Sequence, residues 1–174
     1  MNKRIYIVEG EIEVRFFKQL IEAELISPGR IYKFNLMQEE LKPISSILTK
    51  KVDEIFAIID TDCIEDVQLK NIVNNIKTLK KIGKLFVLVQ NKNFEDELMT
   101  IFEQSNIQNL CRFFKLKNHS KTDLKVYLCQ KVKYSDKINK ENIKKYCSCY
   151  GSFQQILINK SPKLSVNIVT AEKL

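Results

Sequence analysis

Two short runs, Ile55–Ile59 and Leu85–Val89, are apolar at every position, and they constrain the fold of this chain more than any other feature. A strand with one face in water alternates polar and apolar residues, whereas a strand without alternation must be covered on both sides, as in a parallel sheet flanked by helices. Around these runs, β-rich apolar segments alternate with amphipathic ones up to about residue 130. Strands are expected near 4–8, 30–36, 54–60, 84–89 and 111–116, and helices near 11–25, 38–49, 64–81, 94–104 and 120–133. The first helix is the clearest: Val14, Phe17, Ile21 and Leu25 recur at helical spacing, and Ser27-Pro28-Gly29 follows as a stop. The expected fold class is α/β, a Rossmann-like, mostly parallel sheet flanked by helices. Beyond residue 134 the pattern thins to helical stretches near 140–148 and 152–160, then Pro162 and a short strand or tail. Residues 1–134 are therefore read as the α/β domain and 135–174 as a small helical C-terminal extension packed on it. There is no internal repeat and no linker-like composition.

A chain of 174 residues suffices for one hydrophobic core without metals or disulfides to brace it. No apolar stretch approaches the ~20 residues of a membrane span, and only four apolar residues separate the basic start from Glu9, too few for a signal peptide. A cytoplasmic protein is expected. Five cysteines without a C-x-x-C pair point to packed, reduced thiols rather than a zinc site or disulfide framework. The net charge of +8 is unevenly distributed. Residues 1–66 hold 9 Lys/Arg against 13 Asp/Glu, or −4, while residues 67–174 hold 20 against 8, or +12. Basic surface attracts polyanions through phosphate contacts, so nucleic acid is the expected partner, although lysines on solvated helix faces produce the same count.

The chemistry-bearing residues cluster at predicted strand ends. Ile5–Val8 runs into Glu9-Gly10, and Ile55–Ile59 runs into Asp60-Thr61-Asp62. In open α/β sheets ligands bind outside the carboxyl ends of the strands, where loops form a crevice. Gly10 is read as permitting a tight turn after Glu9. The two acids of the D-x-D can both face the crevice while Thr61 points away. Hard oxygen donors of this kind suit Mg²⁺ or Mn²⁺, with water and phosphate completing the sphere. Asp62 also suits the cap of a helix beginning near Ile64.

This arrangement resembles the Toprim fold shared by topoisomerases, bacterial primases, recombination mediators, maturation ribonucleases and OLD-family nucleases. The resemblance covers about the first 115 residues. Glu9-Gly10-Glu11-Ile12-Glu13 resembles the E-G-x-x-E of OLD-type nucleases, which implies that Glu13 faces the same metal; an exposed partner for a nearby lysine is the alternative. Gln90-Asn91-Lys92-Asn93-Phe94-Glu95 resembles the N-P-C-F-E segment of RloB-like proteins of bacterial restriction and phage-defence loci, with Lys92 and Asn93 in place of Pro and Cys. That match implies a metal or water-orienting role for Glu95, although acids in a first helical turn also serve the helix dipole.

The resemblance implies a Mg²⁺-dependent nuclease in which Glu9, Asp60 and Asp62 hold one or two cations at a scissile phosphate, with Glu13 and Glu95 as further ligand candidates. Lysines of the basic later half would supply the positive complement: Lys117 or Lys121, after the expected fifth strand, as transition-state stabiliser, and Lys92, Lys115, Lys117, Lys121 and Lys125 as nucleic-acid contacts. His119, the only histidine, is read as an exposed loop residue without a catalytic task, with a general acid or a phosphate contact as the alternatives. Tyr127, Tyr134, Tyr146, Tyr150 and Phe153 interleave with lysines and serve equally as base-stacking or core residues. OLD-type nucleases usually carry an ATPase domain and no G-x-x-x-x-G-K-[ST] occurs here, so the resemblance implies a separate ATPase partner, with a homodimer as the equal alternative. The alternatives are a non-catalytic nucleic-acid-binding or regulatory subunit and another metal-dependent phosphoryl-transfer domain.

Overall fold

Successive residues of a strand point to opposite faces, and in this protein the two faces are filled by different helices. The computed structural model describes residues 3–42, 52–61, 64–130, 135–147 and 151–174. In chain order the elements are β1 (Arg4–Val8), α1 (Glu11–Glu22), β2 (Arg30–Lys33), β3 (Glu54–Ile59), α2 (Asp66–Leu79), β4 (Lys84–Val89), α3 (Phe94–Ile101), α4 (Ile107–Phe113), α5 (Lys121–Cys129), α6 (Lys140–Lys144), α7 (Gly151–Lys160) and β5 (Asn167–Ile168), with short 3₁₀ turns at Ser135–Lys137 and Ala171–Lys173. The strands form one parallel sheet in the order β2-β1-β3-β4-β5.

One face of the sheet presents Tyr6, Val8, Phe56, Ile58, Phe86 and Leu88 to α1, α3, α4 and α5, joined by Tyr146. The other presents Ile5, Ile7, Ile55, Ala57, Ile59, Val87 and Val89 to α2, joined by Phe153 and Leu157 of α7. The continuous apolar runs are thus two alternating sets, each with its own helical layer. Because α1 and α2 lie on opposite faces, the strand order reverses between β1 and β3, the switch point at which α/β sheets open a crevice.

The strand expected near 111–116 is helix α4 instead. Asn106 caps it, its Oδ1 accepting from Asn109 N at 2.8 Å, and Leu110, Cys111 and Phe114 are buried along one helical face. The rings that read as β-formers are spent on helix packing: Phe114 lies 5.1 Å from Phe102 and 5.2 Å from Tyr127, centroid to centroid. Strand propensity reflects a fit to a pleated surface, and here the fit is to neighbouring helices. The edge of β4 is taken by β5, with Phe86 opposite Asn167 and Val87 opposite Ile168.

The helix expected near 38–49 does not begin where the pattern placed it. Asn35 Oδ1 accepts from the N–H groups of Met37 and Gln38, closing a turn, and buried Asn75 of α2 holds the following loop by bonds to Leu36 O, Leu41 N and Glu39 O. Residues 43–51 lie outside the described residues. Among the described residues no helix is long and apolar enough to cross a membrane.

Residues 135–174 are built into both cores and supply the fifth strand. A buried carboxylate fastens them to the sheet: Glu97 of α3 accepts from Asn91 N at 2.5 Å, just past β4, and from Cys147 N at 2.8 Å, just past α6. Glu97→Ala is expected to cost about 3 kcal/mol, since two backbone donors lose their acceptor inside the protein. Urea unfolding checks this, with Lys70→Ala on the exposed face of α2 as a near-neutral control.

Candidate functional site at the β1–β3 switch point

Parallel pairing of Ile7 with Ala57 brings the ends of β1 and β3 to the same edge of the sheet. Glu9 and Asp60, each one residue past its strand, stand at that edge. They line an open cleft of about 270 Å³ together with Glu11, Glu13, Glu95, Lys121 and Lys125, while Ile12 and Phe94 supply its apolar wall. Five carboxylates face two ammonium groups. A phosphate entering this cleft meets net negative charge.

The turn from β1 into α1 is made without unusual backbone. Gly10 has φ −120° and ψ 165°, which any residue adopts, and a Cβ there would meet Glu13 Oε2 at an ordinary 3.5 Å. The tight turn expected of this glycine is not what shapes the loop. The loop is held by Glu13, whose Oε2 accepts from Gly10 N at 2.7 Å, satisfying one of the free donors at the start of α1.

Glu13 is nearly inaccessible, at 3% exposure. It belongs to the inward stripe of α1 with Phe16, Phe17 and Leu20. Its second oxygen accepts from Gln90 Nε2 at 2.8 Å, and the same amide nitrogen lies 2.6 Å from Tyr146 Oη, which is wholly buried. Burial pushes the Glu13 carboxyl up to about 7, and the nearby Glu9 charge adds to the rise, while the bonds from Gly10 and Gln90 oppose it. The tyrosine hydroxyl is raised well above its usual range, chiefly by burial.

The ends of β3 and β4 are locked side by side. Thr61 N donates to Lys92 O at 2.9 Å, Thr61 Oγ1 donates to Gln90 O at 2.9 Å, and Lys92 N donates to Thr61 Oγ1 at 3.1 Å. Lys92 takes a left-handed conformation, φ 67°, which turns the chain so that Asn93 caps α3 through its Oδ1, 3.2 Å from Asp96 N. That cap fixes the first turn of α3 and with it Glu95, whose oxygens lie 3.3 Å from Lys121 Nζ and 3.2 Å from Lys125 Nζ.

The structure thus gathers Glu9, Glu13, Asp60, Glu95, Lys121 and Lys125 around one cleft. Asp62 lies outside the described residues. With α4 where a strand was expected, Lys115 and Lys117 fall in the exposed α4–α5 connection and His119 in the same loop; none of the three is among the residues lining the cleft, and Lys92 is an exposed residue at its β4 side. Tyr146 and Phe153 are core residues rather than a stacking surface, and Tyr127 packs on Phe114; Tyr134 and Tyr150 lie outside the described residues. The sequence reading missed Gln90 and Thr61. The signal for Gln90 was a lone polar side chain directly continuing a buried strand.

Among the described residues no three Asp, Glu, His or Cys side chains are gathered closely enough to cage a metal ion. Mg²⁺ needs no such cage, since it keeps several waters and takes one or two carboxylates plus substrate oxygens. Glu9 and Asp60, hard donors at adjoining strand ends in a cleft with excess negative charge, fit that demand. No protein-family model, no curated protein and no solved structure matches this chain.

The Glu13 carboxyl binds its proton more tightly folded than unfolded, so its contribution to stability is complete below about pH 4.5 and is lost as pH rises toward 7. The loss amounts to a few kcal/mol at most, at ~1.4 kcal/mol per pKa unit. Glu13→Gln is expected to abolish this component: urea midpoints between pH 4 and 8 in EDTA should fall with pH more steeply for the wild type than for the variant.

Proposed function

We propose that this protein is a Mg²⁺-dependent nuclease that cleaves phosphodiester bonds of DNA or RNA at the β1–β3 edge. The observation that carries the reading is the placement of Glu9 and Asp60 at neighbouring strand ends, in a cleft where carboxylates outnumber lysines five to two. A polyanion attracted by the +12 of residues 67–174 meets repulsion at the Glu9 and Asp60 strand ends, which a divalent cation held there would offset.

Glu9 and Asp60 would hold the cation, with Asp62 as the adjoining candidate. The cation, when bound, offsets charge on the phosphoryl oxygens and acidifies water. The chain's own groups do the positioning. The Thr61 bonds to β4 keep Asp60 in register with the β4–α3 loop, and the Glu13 bond to Gly10 N holds the turn that carries Glu9. Ile12 and Phe94 form the apolar side of the cleft. A role in bacterial or phage defence, with a separate ATPase or a second copy of the chain as partner, accords with the Toprim-type resemblance of the E-G-x-x-E and N-x-x-F-E segments.

One observation favours a second reading, a non-catalytic nucleic-acid-binding or regulatory subunit: Glu13 and Glu95 are both engaged by protein partners. Incubation with plasmid, single-stranded DNA and tRNA in Mg²⁺ or Mn²⁺ separates the two. Cleavage is expected to need the cation and to fall in Asp60→Ala and Glu9→Gln by on the order of 100-fold or more, the scale of lost electrostatic stabilisation. Cleavage persisting in EDTA and in Asp60→Ala overturns the nuclease reading; binding without cleavage under either cation establishes the second one.

A further inference from the structure

Lys121 and Lys125 are one turn apart on α5, and both reach the same carboxylate by different oxygens. Lys121 Nζ is 3.3 Å from Glu95 Oε2 and Lys125 Nζ is 3.2 Å from Glu95 Oε1. The Glu95 side chain is only 6% exposed, whereas the two lysine side chains keep about half of their surface, 49% and 51%. An ammonium group has three donors. With one directed at Glu95, each lysine retains donors on the side open to the cleft.

The base of this triad is rigid. Ser120 caps α5, its Oγ accepting from Asp123 N at 3.1 Å, and Leu124 and Leu128 anchor the helix in the core. Glu95 follows buried Phe94 in the capped first turn of α3. Lysine side chains normally lose considerable rotamer freedom when they grip a ligand; here a buried anion has already gathered both. The triad carries +1 and borders the acidic strand ends. A divalent cation on Glu95 would stand within a few ångströms of two ammonium groups, and that repulsion disfavours a ligand role for this residue.

Resting on the nucleic-acid reading above, we infer that Lys121 and Lys125 form a binding site for a backbone phosphate beside the Glu9–Asp60 edge, and that Glu95 is its positioning residue, not a metal ligand. Cation and polyanion then occupy separate parts of one cleft: the carboxylates at β1 and β3 take Mg²⁺, and the α5 lysines take a neighbouring phosphate of the same strand.

The test uses a fluorescein-labelled single-stranded 12-mer, followed by anisotropy in EDTA across a salt series, and Mg²⁺ alone, followed by calorimetry. Lys121→Met/Lys125→Met is expected to weaken the 12-mer and to lower the slope of log K against log salt by about 0.7, the value for one single-strand phosphate contact. Lys121→Arg/Lys125→Arg should restore both. Glu95→Gln should leave Mg²⁺ affinity within twofold of wild type while weakening the 12-mer about threefold, the cost of fixing a loosened side chain. Methionine at both lysines leaves Glu95 buried without its cations, so a triple variant that adds Glu95→Gln, matched to wild type by thermal melting, must show the same loss. Wild-type 12-mer affinity in the double and triple variants, tighter binding in Glu95→Gln, or loss of Mg²⁺ affinity there comparable with Asp60→Asn would each overturn the inference. None of these readouts needs turnover, so an inactive wild-type protein would sink the nuclease reading while the binding arms still decide this one.

Discussion

Parallel pairing of β1 with β3 is the constraint on which the remaining architecture hangs. Residues 4–8 pair with β2 on one side and with residues 54–59 on the other. To reach β3, the chain must travel out to the sheet edge at β2 and return. The next helix then covers the opposite face. One topological decision therefore creates the doubly covered sheet, puts two strand ends side by side, and leaves a crevice between helical layers that diverge. Glu9 and Asp60 derive whatever chemistry they perform from that adjacency. Their separation of about fifty residues in sequence has no meaning without it.

Behind the cleft lies a set of buried polar groups that a core of this size tolerates only when they bond to one another. Glu13 of α1, Gln90 at the end of β4 and Tyr146 after α6 form a chain, and Glu97 of α3 joins the β4 end to Cys147. Three stretches distant in sequence, the start of α1, the β4–α3 segment and the end of α6, converge there. Burial raises the Glu13 and Glu97 carboxyls together with the Tyr146 hydroxyl and the Cys147 thiol. This network ties the end of α6 to the floor of the site, while α7 packs on the opposite face.

Both signs of charge gather at the cleft. An acidic edge at β1 and β3 faces a cationic pair on α5, with Glu95 between them. The acidic first part and the basic remainder of the chain, which in sequence are only an imbalance, line the same cleft. Many lysines of the later part remain on exposed faces, where their contribution to any contact is diffuse and screened by salt.

The sequence alone determined the helix and strand periods, the two-sided burial of β3 and β4, and the placement of Glu9 and Asp60 at strand ends, because these follow from local spacing and from which residues tolerate water. It did not determine the role of residues 107–116, where Phe113 and Phe114 read as strand and packed as helix, since the preference of an aromatic ring for strand or helix depends on which neighbour it meets. Nor could it assign directions to acids on a helix. Glu13 shares the inward stripe of Phe16, Phe17 and Leu20, and only the meeting of α1 with Gln90 makes that burial tolerable. The partners of Glu95 are likewise a tertiary fact: a carboxylate in a first helical turn is compatible with a cap, a metal or an ion pair. The seating of α5 on α1 decided for the ion pair by bringing two ammonium groups to one buried anion at the start of α3.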